Sequence, residues 1–366
     1  MDADFYSVAL SLVPGVGSVT FKRLIECFKS AEAVLNTSLQ ELKEVEGLRV
    51  KTALAIKNFN DEAVVEKRLW DAKKTGARIL TLENKGYPIN LFSIHNPPPV
   101  LYIKGEIRKE DRFSVAVVGS RFYSSYGEKA ARSICRDLVS GGMTIISGMA
   151  RGIDSFSHHE AIYNGGRTIA VLGNGIDIVY PWENRNLFDK ISKNGAVITE
   201  FPVSTPPDSI NFPKRNRIIS GLSLGVVVVE AGIKSGSLIT AGLALRQGRK
   251  VFSVPGPIGS TINRGTNKLI KDGAVLVESG HDIINTLSPQ HRNTKKINIK
   301  DKNIVDVDLS KNAELIISTL TKGPLHIDTI VAESGLNVHE VSSTLLSLEL
   351  NNLITQLPGK VFIVNS

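Results

Sequence analysis

The chain is poor in several features that would settle its chemistry early. Cys27 and Cys135 are the only cysteines; they are far apart, in neither CxxC nor Cys/His spacing, and give no footing to a disulfide framework or a structural zinc site. Both read as buried small hydrophobes. No apolar run reaches the roughly 18 residues a membrane helix needs, and residues 1–20 lack the charged start and small-residue cleavage site of a secretory signal. A cytoplasmic protein without membrane contact is expected. The dinucleotide fingerprint GxGxxG is also missing where an α/β protein would carry it. The run "VAVVG" ends in Gly119-Ser120-Arg121, with a cation where the fingerprint needs glycine, which disfavours an oxidoreductase. No nucleophile, base and orienting group fall together, so no catalytic residue and no cofactor is assigned. His158 and His159 are adjacent, and adjacent helical positions do not share a face, so no metal site is assigned either.

What is present is a globular composition, 42% hydrophobic and 22% charged, in 366 residues, a length that fits two or three units. The net charge of +8 and pI near 9.3 make a polyanion a candidate partner.

Four segments follow one another. Residues 1–72 read as helices: "LSLVPGVGSVTFKRLIECF" sets Pro14, Gly15 and Gly17 in a turn, and "LKEVEGLRVKTALAI" repeats the form with Gly47. This is a tandem helix-hairpin-helix, SAM-like pattern. Its turns either present backbone N–H groups to a phosphate or simply pack the module on its neighbour. Residues 73–287 open with two short β-type runs around "NPPP". They continue as alternating apolar runs and amphipathic helices: "VAVVG", "TIISG", "TIAVLG", "AVITE", "GVVVVEA", "KVFSVPG" and "AVLV". Runs apolar on both faces predict a doubly wound α/β domain with a mostly parallel sheet. Residues 288–311 are polar and aperiodic, a linker. Residues 312–366 give three short helices and a hairpin turning at Pro358-Gly359, a winged-helix pattern.

Open parallel sheets bind ligands beyond the carboxyl ends of their strands, near helix starts, and three such ends suit an anion. Gly119, Ser120 and Arg121 give a tight turn, a hydroxyl and a guanidinium; the alternative is a turn whose arginine pairs a carboxylate. Ser147 and Gly148 lead to Arg151, within phosphate reach, and to Asp154, which caps a helix or orients a cation. Lys234 precedes Ser235, Gly236 and Ser237, where backbone N–H groups and hydroxyls face an anion or one serine merely caps the helix. Glu200 and Glu230, at or near strand ends, read as structural carboxylates. The segment "SINFPKRNR" reads as a loop entering a short helix that Ile218 and Ile219 anchor. Lys214, Arg215 and Arg217 then project from the helix start, and Phe212 offers a face for a base. A solvated basic loop is the other reading.

The ordered motifs "VVGSRFYSSYG", "SGMARGIDSFSHHEAI", "GGRTIAVLGNGIDIVYP", "ITEFP", "FPKRNRIISGLS", "VVVVEAGIKSGSLITAGLALRQGRKVFSVPG" and "GTNKLIKDGA" resemble the DNA-processing protein A (DprA/Smf) family. The likeness is dense from Tyr87 to Ile284. It implies an extended Rossmann fold and sequence-independent binding of single-stranded DNA. It also implies dimerisation, and loading of the RecA recombinase onto incoming strands in natural transformation, with single-strand-binding protein as a further partner. Carried over, the pocket uses Gly119, Ser120, Arg121, Ser147, Gly148, Phe212, Lys214, Arg215, Arg217, Ser235, Gly236 and Ser237. The dimer contact falls around Asn267 to Gly273, with Leu269 and Ile270 exposed on a short helix. Ser157 stands where the family commonly has alanine. Two other classes compete. A nucleotide (phosphoribo)hydrolase similar to the lysine-decarboxylase-like Rossmann proteins would carry their PGGxGTxxE signature over Ala231 to Thr240, with its catalytic carboxylate where Thr240 stands. A duplex-DNA regulator would need a basic winged helix, whereas this one sets Lys322 and Lys360 against Glu314, Asp328, Glu333, Glu340 and Glu349.

Overall fold

A computed structural model describes residues 3–287, 311–320, 325–350, 354–357 and 360–364. The linker expected over 288–311 lies, but for Lys311, outside the described residues, as does the Pro358-Gly359 turn. The chain divides into two compact units, Met1–Asn293 and Thr294–Ser366. No helix among the described residues is long and apolar enough to cross a membrane.

The first unit begins with six helices: α1 (Ala3–Leu12), α2 (Ser18–Phe28), α3 (Ala31–Asn36), α4 (Leu39–Glu44), α5 (Val50–Lys57) and α6 (Glu62–Lys74). The hairpin glycines are there for conformation and for space. Gly15 has φ +90° and Gly47 φ +73°, the left-handed region that side chains disfavour. A Cβ at Gly15 would also stand 2.6 Å from Thr52 Oγ1 on α5, so one hairpin turn packs directly on the other. Ser38 caps α4 in a reciprocal capping box with Glu41.

The sheet comprises β1 (Arg78–Thr81), β2 (Val100–Gly105), β3 (Ser114–Val118), β4 (Thr144–Ser147), β5 (Thr168–Val171), β6 (Ala196–Thr199), β7 (Gly225–Val228), β8 (Lys250–Ser253) and β9 (Val275–Leu276). Their order is β1-β2-β6-β5-β4-β3-β7-β8-β9. From β6 to β9 every pairing is parallel; β2 joins β6 antiparallel and β1 joins β2 antiparallel. Alternation along the strands feeds two cores. Ala116, Val118, Val226 and Val228 pack with Ile218 and Ile219 of α11 (Asn211–Leu222) and Ala241 of α12 (Gly236–Arg246). Val115, Val117 and Val227 face the opposite layer, which holds Ile134 and Leu138 of α8 (Ser125–Ser140), Ile153 of α9 (Ile153–Tyr163) and Ile283 of α14 (Gly280–Leu287). α7 (Ile89–Phe92), α10 (Arg185–Asn194) and α13 (Arg264–Lys271) complete this unit. The strand order runs outward in both directions from β3 and β7. Their carboxyl ends therefore flank the topological switch point, where such sheets leave a crevice.

The first core also takes in Leu10, Phe21, Leu24, Val34 and Ile56 from the leading helices. Those helices are thus packed on the sheet layer and share its core.

The second unit holds α15 (Lys311–Leu320), β10 (Leu325–His326), α16 (Ile327–Ser334), α17 (Val338–Leu350), β11 (Ile354–Leu357) and β12 (Val361–Val364), with sheet order β10-β12-β11. Ile316, Ile330, Val341, Leu345 and Phe362 form its core, the winged-helix arrangement. The short β10 is an element the periodicity did not predict: two residues are too few for an alternation to show.

Candidate nucleic-acid interface

A cleft of about 750 Å³ opens at the switch point, lined from the β3, β7 and α11 sides by Gly119, Ser120, Arg121, Phe212, Lys234 and Ser237 among others. Close approach built it. A Cβ at Gly119 would meet the Ile153 side chain at 2.6 Å, so the β3 end needs glycine to let α9 come near. Ser120 Oγ accepts from the Phe122 N–H at 3.1 Å and donates back to the Phe122 carbonyl, closing the turn. Arg121 is exposed and its guanidinium stands 5.5 Å from the centre of the Phe212 ring. That is within cation–π reach, a contact that neither reading of this turn foresaw. Ser124 caps α8 by accepting from the Gly127 N–H at 3.1 Å. Its own N–H and hydroxyl both donate to buried Glu230, at 2.9 and 2.7 Å. Glu230 is the structural carboxylate expected.

At the β7 end, the Ser235 hydroxyl accepts from the Ser237 N–H at 3.4 Å and lies 2.8 Å from Ser237 Oγ, the serine N-cap of α12. A Cβ at Gly236 would meet nothing within 4 Å, so the helix start faces open cleft. Lys234 beside it is exposed.

The "NFPKRNR" segment corrects the sequence reading. It is the first half of α11 itself and no loop, so its three cations part by helical phase. Arg215 does not project. It is 4% exposed, and its Nη1 donates to the Gly148 carbonyl at 2.7 Å and to the Val171 carbonyl. Burial lowers its pKa to about 10, opposed by nearby Asp154. Asp154 is itself raised by burial and held back by Arg215, and it accepts from the Gly148 and Ala150 N–H groups at 3.2 and 3.3 Å. A Cβ at Gly148 would collide with the guanidinium at 2.7 Å. Arg215 is thus the beam under the β4 turn. Arg217 pairs with Glu200, both largely buried, and burial raises Glu200 against the pull of Arg217. Lys214 remains exposed and lines an adjoining groove with Arg217.

Ser147 is a second correction. Its side chain is fully buried and donates to the Val117 carbonyl at 2.7 Å, a strand-to-strand tie that faces no cleft. Arg151 reaches the surface, where Glu183 pairs it. His158 is fully buried, 2.6 Å from Thr168 Oγ1, and burial pushes its pKa down to about 3. Asn267 ties the Gly256 backbone by two bonds of 3.0 Å. Leu269 packs against the core and Ile270 is half-buried, so neither has the exposure expected. No cluster of three His, Cys, Asp or Glu side chains suits a metal among the described residues.

Two aromatics in the cleft escaped the sequence reading. Tyr180 lies against Phe212, with centroids 5.8 Å apart and planes at 31°, and Phe122 is 86% exposed at the rim. For Phe122 a signal existed, an aromatic directly after the turn arginine; Tyr180 arrives from a distant loop, which spacing does not reveal.

The family described as DNA recombination-mediator protein A matches residues 78–288, and the DprA winged helix domain matches 306–360. Protein Smf of Escherichia coli is 37% identical over 323 residues, 86% of this chain and 84% of its own. Protein Smf of Synechocystis is 34% identical, covering 97% of both chains. The structure of DNA processing protein A from Streptococcus pneumoniae superposes with a TM-score of 0.66 at 33% identity, covering 78% of this chain and 97% of that one. The protein of the same name from Helicobacter pylori, whose structure concerns its single-stranded DNA binding mode, gives 0.53 at 29% identity over 59% of this chain and 98% of its own. The chain belongs to the DNA recombination-mediator protein A family, DprA/Smf, and its role is DNA processing in recombination.

Proposed function

We propose that the switch-point cleft binds single-stranded DNA without sequence preference, and that the protein acts as a non-enzymatic mediator. It would protect incoming strands and load RecA on them in natural transformation, in the cytoplasm and as a homodimer. The observation that carries this is the composition of the cleft. Arg121 and Lys234 bring exposed charge, the uncovered start of α12 brings N–H groups and hydroxyls, and Phe212 with Tyr180 brings a tilted aromatic pair. Charge plus a stacking face holds a backbone and any base, with little to read base edges. The Helicobacter pylori relative, studied for how it binds single-stranded DNA, supports the same ligand here. The hydrolase alternative is weakened at Thr240, which is 2% exposed on α12 where that class needs a reactive carboxylate. Dimerisation through α13 would use Ile270 and the outer face of that helix, with Asn267 and Leu269 shaping it from inside.

The test is anisotropy of a labelled oligo-dT strand against a matched duplex at two salt concentrations. Single-strand preference is expected. Arg121→Ala should weaken binding about tenfold across sequences and reduce the salt slope by about one. Equal affinity for duplex, or an unchanged slope in Arg121→Ala, would reject the assignment.

A further inference from the structure

Two grooves continue the cleft away from the switch point. The first, about 610 Å³, is lined by Asn96, Lys214, Arg217 and Glu200, and meets the cleft at Pro213, which lines both. The second, about 200 Å³, holds Ser11, Gly17, Ser18 and Arg68, and meets the first at Glu200. Together they lead from the sheet crevice to the first helical hairpin.

Their chemistry is one-sided. Lys214, Arg217 and Arg68 stand against Glu200, the one carboxylate lining either groove among the described residues, and its charge is answered by Arg217. Arg217 keeps a second guanidinium nitrogen, Nη1, buried without a partner. At the far end, α2 starts at Gly17 with no side-chain cap and no acidic residue in its first turn, so its leading N–H groups lack a partner of the helix's own. The hairpin is fixed relative to the groove. Lys22 of α2 donates to the Phe92 and Ile94 carbonyls at 3.1 and 3.2 Å, and the Ala31 N–H donates to Glu83 at 3.0 Å.

We infer that the leading helices extend the nucleic-acid track: a single strand seated in the cleft continues past Pro213 and Lys214, and its phosphates finish on Arg68 and the start of α2. This rests on the reading of the cleft given above. A spaced row of cations with donors at its end, and little aromatic surface beyond the cleft, suits a sugar–phosphate backbone better than a peptide.

Two oligo-dT lengths separate the two claims, roughly 6 and roughly 30 nucleotides, the shorter near one module's footprint. The full chain is compared with Arg68→Ala and Ser18→Glu. An acidic residue in a helix's first turn suits its dipole, so Ser18→Glu keeps the fold while repelling phosphate. Both variants should bind the short strand as the unaltered chain does, bind the long one about three- to tenfold more weakly, and show a smaller salt slope on the long strand only. Unaltered long-strand binding in both overturns the extension. Unaltered short-strand binding in Arg121→Ala, or no binding of either length by the unaltered chain, overturns the cleft reading and the extension with it.

Discussion

Arg121 and Arg215 stand 5.5 and 5.8 Å from the same Phe212 ring, yet one is exposed and the other enclosed. Arg215→Ala leaves Asp154 buried beside no cation and strands the Gly148 and Val171 carbonyls. It should lower stability by about 3–5 kcal/mol, read by urea unfolding. Arg121→Ala should change stability by less than about 0.5 kcal/mol while weakening the DNA complex. Equal losses in the two unfolding curves would contradict this division. The difference was legible in part: positions 215, 218, 219 and 222 follow the i, i+3, i+4, i+7 rule of one buried helical face, and read as helix from Asn211 the segment puts Arg215 with Ile218, Ile219 and Leu222. Taking "SINFPKRNR" for a loop hid that phase. His158 gives a pH signature. Its folded pKa near 3 lies below the ordinary value near 6.5, so as pH falls below about 6.5 the unfolded chain takes a proton that the folded one refuses. Stability is then lost at up to about 1.4 kcal/mol per pH unit until the folded pKa is passed. Replacement with His158→Asn should flatten urea midpoints between pH 6.5 and 4.5 relative to the parent; parallel profiles would count against the assignment.

The elements that form the site are short turns pinned from beneath. Glu230 receives both the N–H and the hydroxyl of Ser124, and Ser124 in turn caps α8. Glu230→Ala should cost about 1–3 kcal/mol, with faster amide exchange confined first to residues 120–127; uniform exchange across the sheet would show that the carboxylate supports more than this turn. The strands themselves were readable because parallel strands covered on both sides are continuous apolar runs, and all seven such runs became β3 to β9. The hairpin glycines were readable too, since few residues but glycine sit at φ near +90°. What the sequence withheld was depth. "IISG" does not say that the Ser147 hydroxyl points to the next strand, nor "NKLI" that Leu269 turns inward. These depend on packing partners outside the local segment, 30 positions away in the case of Ser147 and Val117.

At the scale of the molecule, two compact units carry different charge. α17 of the winged helix has Glu340 and Glu349 and no lysine or arginine, while the switch-point cleft and its grooves gather Arg121, Lys234, Lys214 and Arg68. On the proposed reading, the nucleic acid is held by the first unit. The most direct measurement is ultraviolet crosslinking of a bromodeoxyuridine-substituted single strand to the full chain, followed by peptide mapping. Crosslinks to the peptides bearing Phe122, Tyr180 and Phe212 are predicted, lost in Arg121→Ala at raised salt. Crosslinks confined to residues 311–364 would contradict the account.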